Sequence, residues 1–458
     1  DQMISKQKVA PAAGGIQQAQ GGMSILEQIL SNFEAYYSSL SESSLYSFFS
    51  LTSALIRNVS SEQMKEQMFK IAVHFLDSPL QQILPLEPKI DPPTWHGLTL
   101  LVQCNTALAT SLGNFYVSFF LSKFDLLMGA FTTLTGFLIQ YQSQQGTDMN
   151  IIRAARTASD AIISLLERTI NYCYDLSIVR EKLWPICMTS ILQSFSNTPP
   201  IAKSPKVLKL FGTLALKCQS EFVQNYRVVF DNIYIPVYQM IQNDFVSYEY
   251  IRLDFFEFML SLVRACIDLI LSLPPEEFNM FIEAIKFGMN HPKNEISEKS
   301  HMLLTEFIDQ IKLKLKDKPD QLSSFTNTYA IPLLMFAFQI LTDTSHKSSF
   351  TYQVSLIKSL LTLPSISELG APLCDNLCQL FNDQPPQLIE KLLIDLTNTM
   401  LLSNLDFNNV LKGFLISVKH LLRQDPDLLA AQKKEALERT REFFKKIESE
   451  ESVAPLDG

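Results

Sequence analysis

Turn-formers and strand patterns are what this chain lacks most. Its 458 residues include only 14 glycines and 2 tryptophans, and strict alternation of apolar and polar residues is nearly absent. Scarce glycine excludes a collagen-like chain, and the missing period of two excludes a sheet with one wet face. Charged residues make up 19% against 47% apolar, a balance that excludes a disordered chain. Concentrated positive charge is missing too. The formal net charge is -9, whereas phosphate binding needs clustered Lys and Arg that release counterions, so no direct nucleic-acid partner is expected. An acidic surface suits basic protein partners, or serves solubility alone.

The signatures of chemistry are absent as well. The common phosphate-loop, dinucleotide, zinc-protease and nucleophile-elbow patterns do not occur, nor does C-x-x-C. The seven cysteines stand singly at 104, 173, 187, 218, 266, 374 and 378, which is no disulfide framework and implies a reducing compartment. Cys374 and Cys378 share a helix face, but no His or third Cys is near in sequence, so they read as core packing and not as zinc ligands. The six histidines, including His291 and His301, are scattered and read as structural or surface residues. No catalytic, cofactor or metal site is expected, and the chain reads as a non-enzyme. No segment reads as a membrane span, because the most apolar stretch, 115–139, is interrupted by Lys123 and Asp125. Residues 1–22 begin with Asp1 and lack the apolar core of a signal peptide. They read as a flexible lead-in to a fragment whose N-terminus is missing.

What is present is a helical period. From Met23 onward apolar residues recur at steps of three and four, as in the stripe Phe255, Met259, Leu262, Cys266 and Leu269. Prolines, among them Pro79, Pro92, Pro205, Pro274, Pro319 and Pro385, punctuate this pattern at one or two helix lengths, where a ring without an N–H starts a helix but does not continue one. The predicted helices run from 24–40 through 62–77, 115–142, 178–196 and 247–273 to 427–447. Paired in order, they give a unit of roughly 40 to 50 residues, the HEAT or armadillo period. The expected fold is all-α, a HEAT-repeat superhelix or solenoid over 23–447, followed by a short tail, 448–458. No strict residue code repeats at this pitch. The mixed-charge helix near the end reads as a polar cap or a regulatory tail.

Two stretches carry a resemblance. Within 239–307, Asn243-Asp244-Phe245, Tyr248, Arg252, Phe255-Phe256, Pro274-Pro275 and Phe278 resemble the C-terminal repeats of the exportin-1 family of karyopherin nuclear export receptors. The string 341–346, Leu-Thr-Asp-Thr-Ser-His, resembles a helix junction of the same family; it is polar, falls in a predicted turn and has no packing reason to recur. Upstream, Ile25 to Leu30 and the helix after Leu45 are similar to the repeat that follows the family's reactive-cysteine helix, which has no counterpart here.

The resemblance implies a receptor that binds cargo bearing leucine-rich nuclear export signals together with GTP-loaded Ran. It also implies contact with nucleoporins and shuttling between nucleus and cytoplasm. A HEAT scaffold subunit, as in a phosphatase complex, is the alternative. Ile25, Ile29 and Tyr36 share one helix face and are candidates for half of the cargo groove, with the face of Leu26, Leu30, Phe33 and Tyr37 packed inward, because one helix does not bury two apolar faces against one partner; the alternative is that the Ile25 face packs against a preceding repeat.

Overall fold

A computed structural model describes residues 28–417 apart from 30, 88, 142–147, 244–247, 364–369, 382–383 and 400–403. Among the described residues there is no strand. The chain divides into two compact units, Asp1–Phe131 and Thr132–Gly458.

The first unit holds α1 (Phe33–Ser39), α2 (Glu42–Arg57), α3 (Glu62–Ile83), α4 (Pro92–Leu112) and the start of α5 (Asn114–Tyr141). Helix starts follow local chemistry. Ser61 accepts the Met64 N–H, and Asp91 accepts the Thr94 N–H ahead of Pro92, so orphan donors of the first turn are satisfied. Gly113, at φ 57°, makes the tight turn into α5, a backbone state that an L side chain resists. Packing then joins α2 and α3 to α4. The Ser53 hydroxyl donates to the Ala107 carbonyl, and Glu42 meets His96, each pair 54 residues apart.

The second unit runs in two layers. One layer stacks α6 (Met149–Tyr172), α8 (Pro205–Lys217), α10 (Glu249–Leu271), α12 (Asn294–Lys314), α14 (Phe350–Leu361) and α17 (Asn404–Ser417), each against the next. The other contains α7 (176–197), α9 (219–243), α11 (Pro275–Met289), α13 (Pro319–Leu341), α15 (Gly370–Leu380) and α16 (Pro386–Thr399). Polar contacts carry the period. The Thr213 hydroxyl donates to Glu167 and the Ser359 hydroxyl to Asp309, while Ser349 meets Ser297, at separations of 46, 50 and 52 residues. Four ion pairs join α10 to α12: Glu249–Lys293 at 2.8 Å, Glu257–Lys299 at 3.2 Å, Arg264–Glu306 at 3.6 Å and Asp268–Lys314 at 2.6 Å. The partners ascend together along both helices, so α10 and α12 run parallel and α11 returns between them.

Several expectations need correction. Pro79 lies inside α3, which continues to Ile83, so it marks no break. Pro185, Pro236 and Pro332 also lie inside helices, and each follows a π turn: Val179–Leu183, Phe230–Tyr234 and Thr326–Ala330. The cause is local. A proline ring clashes with the carbonyl four residues back and offers it no N–H. Those carbonyls, on Glu181, Asn232 and Thr328, all sit in the widened turns. The three prolines stand 51 and 96 residues apart, about one and two repeats, while the repeat between Pro236 and Pro332 lacks one.

Two helices, Asn114–Gln140 and Pro319–Leu341, have the length and apolar composition of membrane spans, contrary to the expectation that none does. Their apolar content has a packing role. Phe120, Phe124, Leu127, Leu333, Leu334 and Phe338 are buried, and Lys123 pairs with Asp77 at 2.6 Å. The predicted helix at 427–447 lies outside the described residues.

Candidate peptide-docking surface

The surface built around α1 begins with aromatic packing. Phe33, 1% exposed, sits 4.9 Å from the Phe48 ring, 5.7 Å from Phe49 and 4.8 Å from Phe75. Tyr37 meets Phe49 and Phe75 at 6.3 and 5.8 Å. Such rings each contribute about 0.5–1.5 kcal/mol beyond the area they bury, which holds a helix of only two turns in place. Burial pushes the Tyr37 hydroxyl above its ordinary pKa, with a smaller effect from Cys104.

The opposite side of α1 is uncovered. Tyr36 is 43% exposed and touches only the edge of the aromatic cluster, 6.4 Å from Phe48. Ile29 is half-buried, and Ile25 lies outside the described residues. The structure therefore places Phe33 inward and Tyr36 outward, the division that the helix periodicity predicts. Tyr46 and Leu51 on α2 and Met64 and Ile71 on α3 are also exposed. These residues offer apolar surface and no reactive group.

A second apolar site, missed by the sequence reasoning, lies in the other unit. A small apolar pocket is lined by Phe222, Val229, Tyr234, Leu262, Cys266 and Phe281 among others. Two features shape it. The π turn ahead of Pro236 carries Tyr234, whose buried hydroxyl has no hydrogen-bond partner. Cys266 has non-helical angles, φ -132° and ψ 37°, which kink α10; the side-chain amide of Gln219 donates to the Ala265 carbonyl beside the kink. The recurring prolines were the available signal, since they mark where the helices widen.

Among the described residues no group of three or more His, Cys, Asp or Glu is placed to hold a metal ion. His291 and His301 are buried and structural: Lys293 N–H donates to His291 Nδ1, and His301 Nδ1 donates to the Ser297 carbonyl. His346, read as part of a polar turn without a packing role, is 4% exposed, and its carbonyl accepts from the Gln353 amide. His346 therefore has a packing role in this turn. Cys374 and Cys378, read as core, are both partly exposed, because the buried stripe of α15 is Leu373 and Leu377, one residue out of phase.

Two buried charges in this unit are shifted by their surroundings. Burial pushes the Asp160 carboxyl up to about 6, although Ser204, Arg156 and Lys206 act against it. Burial also lowers Lys203 to about 8; its ammonium donates to the carbonyls of Phe195 and Ser196 at the end of α7.

The sequence matches the family model described as CRM1 C terminal over residues 120–423. It is 26% identical to Exportin-1 of Schizosaccharomyces pombe over 379 residues, 76% of this chain and 35% of that protein. It is 24% identical to Protein EXPORTIN 1B of Arabidopsis thaliana, covering 75% of this chain and 34% of the relative. Exportin-1 of Dictyostelium discoideum is 20% identical over 430 residues, 88% of this chain and 40% of that one. The chain thus spans between a third and two fifths of these relatives' length. Among solved structures, importin-13 in its cytosolic state aligns with a TM-score of 0.55 at 11% identity, over 85% of this chain and 42% of the other. That likeness shows the fold, a HEAT-repeat helical solenoid.

Proposed function

Since this chain belongs to the CRM1 C-terminal family, we propose that it forms the C-terminal part of a nuclear export receptor, acting by binding and not by catalysis. The receptor takes up proteins that bear leucine-rich export signals together with Ran in its GTP form. It passes the pore through contacts with nucleoporins and shuttles between nucleus and cytoplasm. In this reading the repeats extend over 23–447, of which 23–27 and 418–447 lie outside the described residues, as do 1–22 and 448–458. No nucleic acid or membrane is bound directly, in keeping with the net charge of -9 and the packed state of the apolar helices.

The observation that carries this reading is the family match over 120–423, which covers most of the stacked helices. Stacked helix pairs leave long exposed surfaces, and extended surfaces suit macromolecular partners. On the α1 surface, the exposed Tyr36 and the half-buried Ile29 supply one wall for an amphipathic peptide whose apolar side chains are spaced along a helix. The partner wall belongs to the repeat that precedes it in the whole receptor.

The test uses the full-length receptor. Ile29→Asp with Tyr36→Asp is expected to weaken binding of a leucine-rich export peptide at least about tenfold, the loss of one or two buried apolar anchors. Ran·GTP binding and helicity stay unchanged. A folded double variant with undiminished peptide affinity overturns the groove assignment, and a full-length receptor that binds neither Ran·GTP nor the peptide overturns the receptor reading itself.

A further inference from the structure

Of the seven cysteines, five are closed to solvent: Cys104, Cys173, Cys187, Cys218 and Cys266 are each 2% exposed or less. The remaining two, Cys374 and Cys378, are partly exposed and one helical turn apart on α15. They share one face of that helix, at positions i and i+4. No element of the proposed export function uses them.

Helix geometry decides what such a pair accepts. Residues at i and i+4 have Cβ atoms about 5–6 Å apart, whereas a disulfide needs about 3.5–4.5 Å. Direct oxidation to a disulfide therefore requires the helix to unwind. A single bridging atom with bonds of about 2.3 Å, the length of a zinc–sulfur bond, spans the gap without unwinding. A bare divalent ion is a poor occupant, because it wants four ligands and among the described residues no third His, Cys, Asp or Glu is placed to join the two sulfurs. The fitting ligand brings its own remaining substituent and asks the protein for two sulfurs only.

We infer that Cys374 and Cys378 form a chelating dithiol site for a monosubstituted trivalent arsenical, R–As=O. The reaction balances without an oxidant. Each thiol gives up its proton, the arsenic–oxygen bond breaks, the oxygen leaves as water with both protons, and two arsenic–sulfur bonds form. Arsenic stays trivalent and carries R as its third ligand. The surroundings favour a chelator over a simple alkylating agent. Burial, the Cys378 thiol, and the carboxylates of Asp375 and Glu390 hold Cys374 above the ordinary thiol pKa. The Cys374 thiolate that an alkylating agent attacks is therefore scarce. Cys187 and Cys218 are fully buried, so the native fold denies them to the reagent.

The experiment titrates the full chain, natively folded, with phenylarsine oxide and reads intact mass. One adduct per chain is expected, stable to dilution and removed by 1,2-ethanedithiol. Cys374→Ser and Cys378→Ser each weaken arsenical binding by about 100-fold or more, because the second bond is no longer intramolecular. An adduct that persists in the Cys374→Ser/Cys378→Ser double variant overturns the assignment. So does a native chain that takes none, or single variants that bind as tightly as the parent.

Discussion

The Arg252 guanidinium and the His291 imidazole, 39 positions apart in sequence, meet at 2.8 Å in the interior where α10 passes the end of α11. His291 Nδ1 accepts the Lys293 N–H at 3.0 Å. Burial, then the Arg252 charge, hold His291 down to about 4, and burial holds His301 at about 4 as well.

A pH dependence follows. Both histidines have folded pKa values below the unfolded value of 6.5, so the unfolded chain binds more protons between about 4 and 6.5. Their contribution to stability is fully present above pH 6.5 and is lost as pH falls toward 4. Asp160, held up to about 6, works in the opposite direction over part of this window. The urea midpoint is therefore expected to be lower at pH 5 than at pH 7.5, and the difference to shrink in a His291→Asn/His301→Asn variant. An undiminished difference in that variant contradicts the assignment.

Phe255 is fully buried on α10, 5.4 Å from Tyr234 and 5.5 Å from Phe256. Phe255→Ala is expected to cost about 3–5 kcal/mol, from lost transfer energy plus the cavity left behind. Chemical denaturation measures it. A loss under about 1 kcal/mol means that the site collapses around the gap.

Gly288 marks the closest approach among α10, α11 and α12. A Cβ there would lie 2.1 Å from Ser300 Oγ and 2.4 Å from Phe256 Cζ. Gly288→Ala is expected to destabilise by about 1–3 kcal/mol through overpacking. Gly129 has open space around the same position, and Gly129→Ala is expected to stabilise α5 by about 0.5–1 kcal/mol. Thermal unfolding of the two variants checks that the shifts have opposite sign.

Pro332→Ala removes the ring that clashes with the Thr328 carbonyl and restores an N–H. The π turn Thr326–Ala330 is then expected to close into regular helix in a crystal structure of the variant. If the turn persists, packing of the neighbouring repeats sets it, and not the proline.

Helix existence and order were legible in the sequence because a buried stripe must recur every three or four residues, whatever the neighbours are. The predicted 115–142 and 178–196 fall within two residues of the observed Asn114–Tyr141 and 176–197. The period was legible too, since each pair buries its faces only by stacking on the next. The inward side of α1, with Phe33 inside and Tyr36 outside, followed from the same arithmetic. Other features depended on residues about one repeat away. Periodicity does not show that His346 is buried under Gln353, or that Tyr234 and Cys266 border one pocket. Nor does it separate Cys374 from Leu373, because one residue of helical phase, about 100°, moves a side chain from the core to its shoulder. Those placements belong to the tertiary structure, where contacts between residues some 50 positions apart decide which flank of each stripe is covered and which meets water.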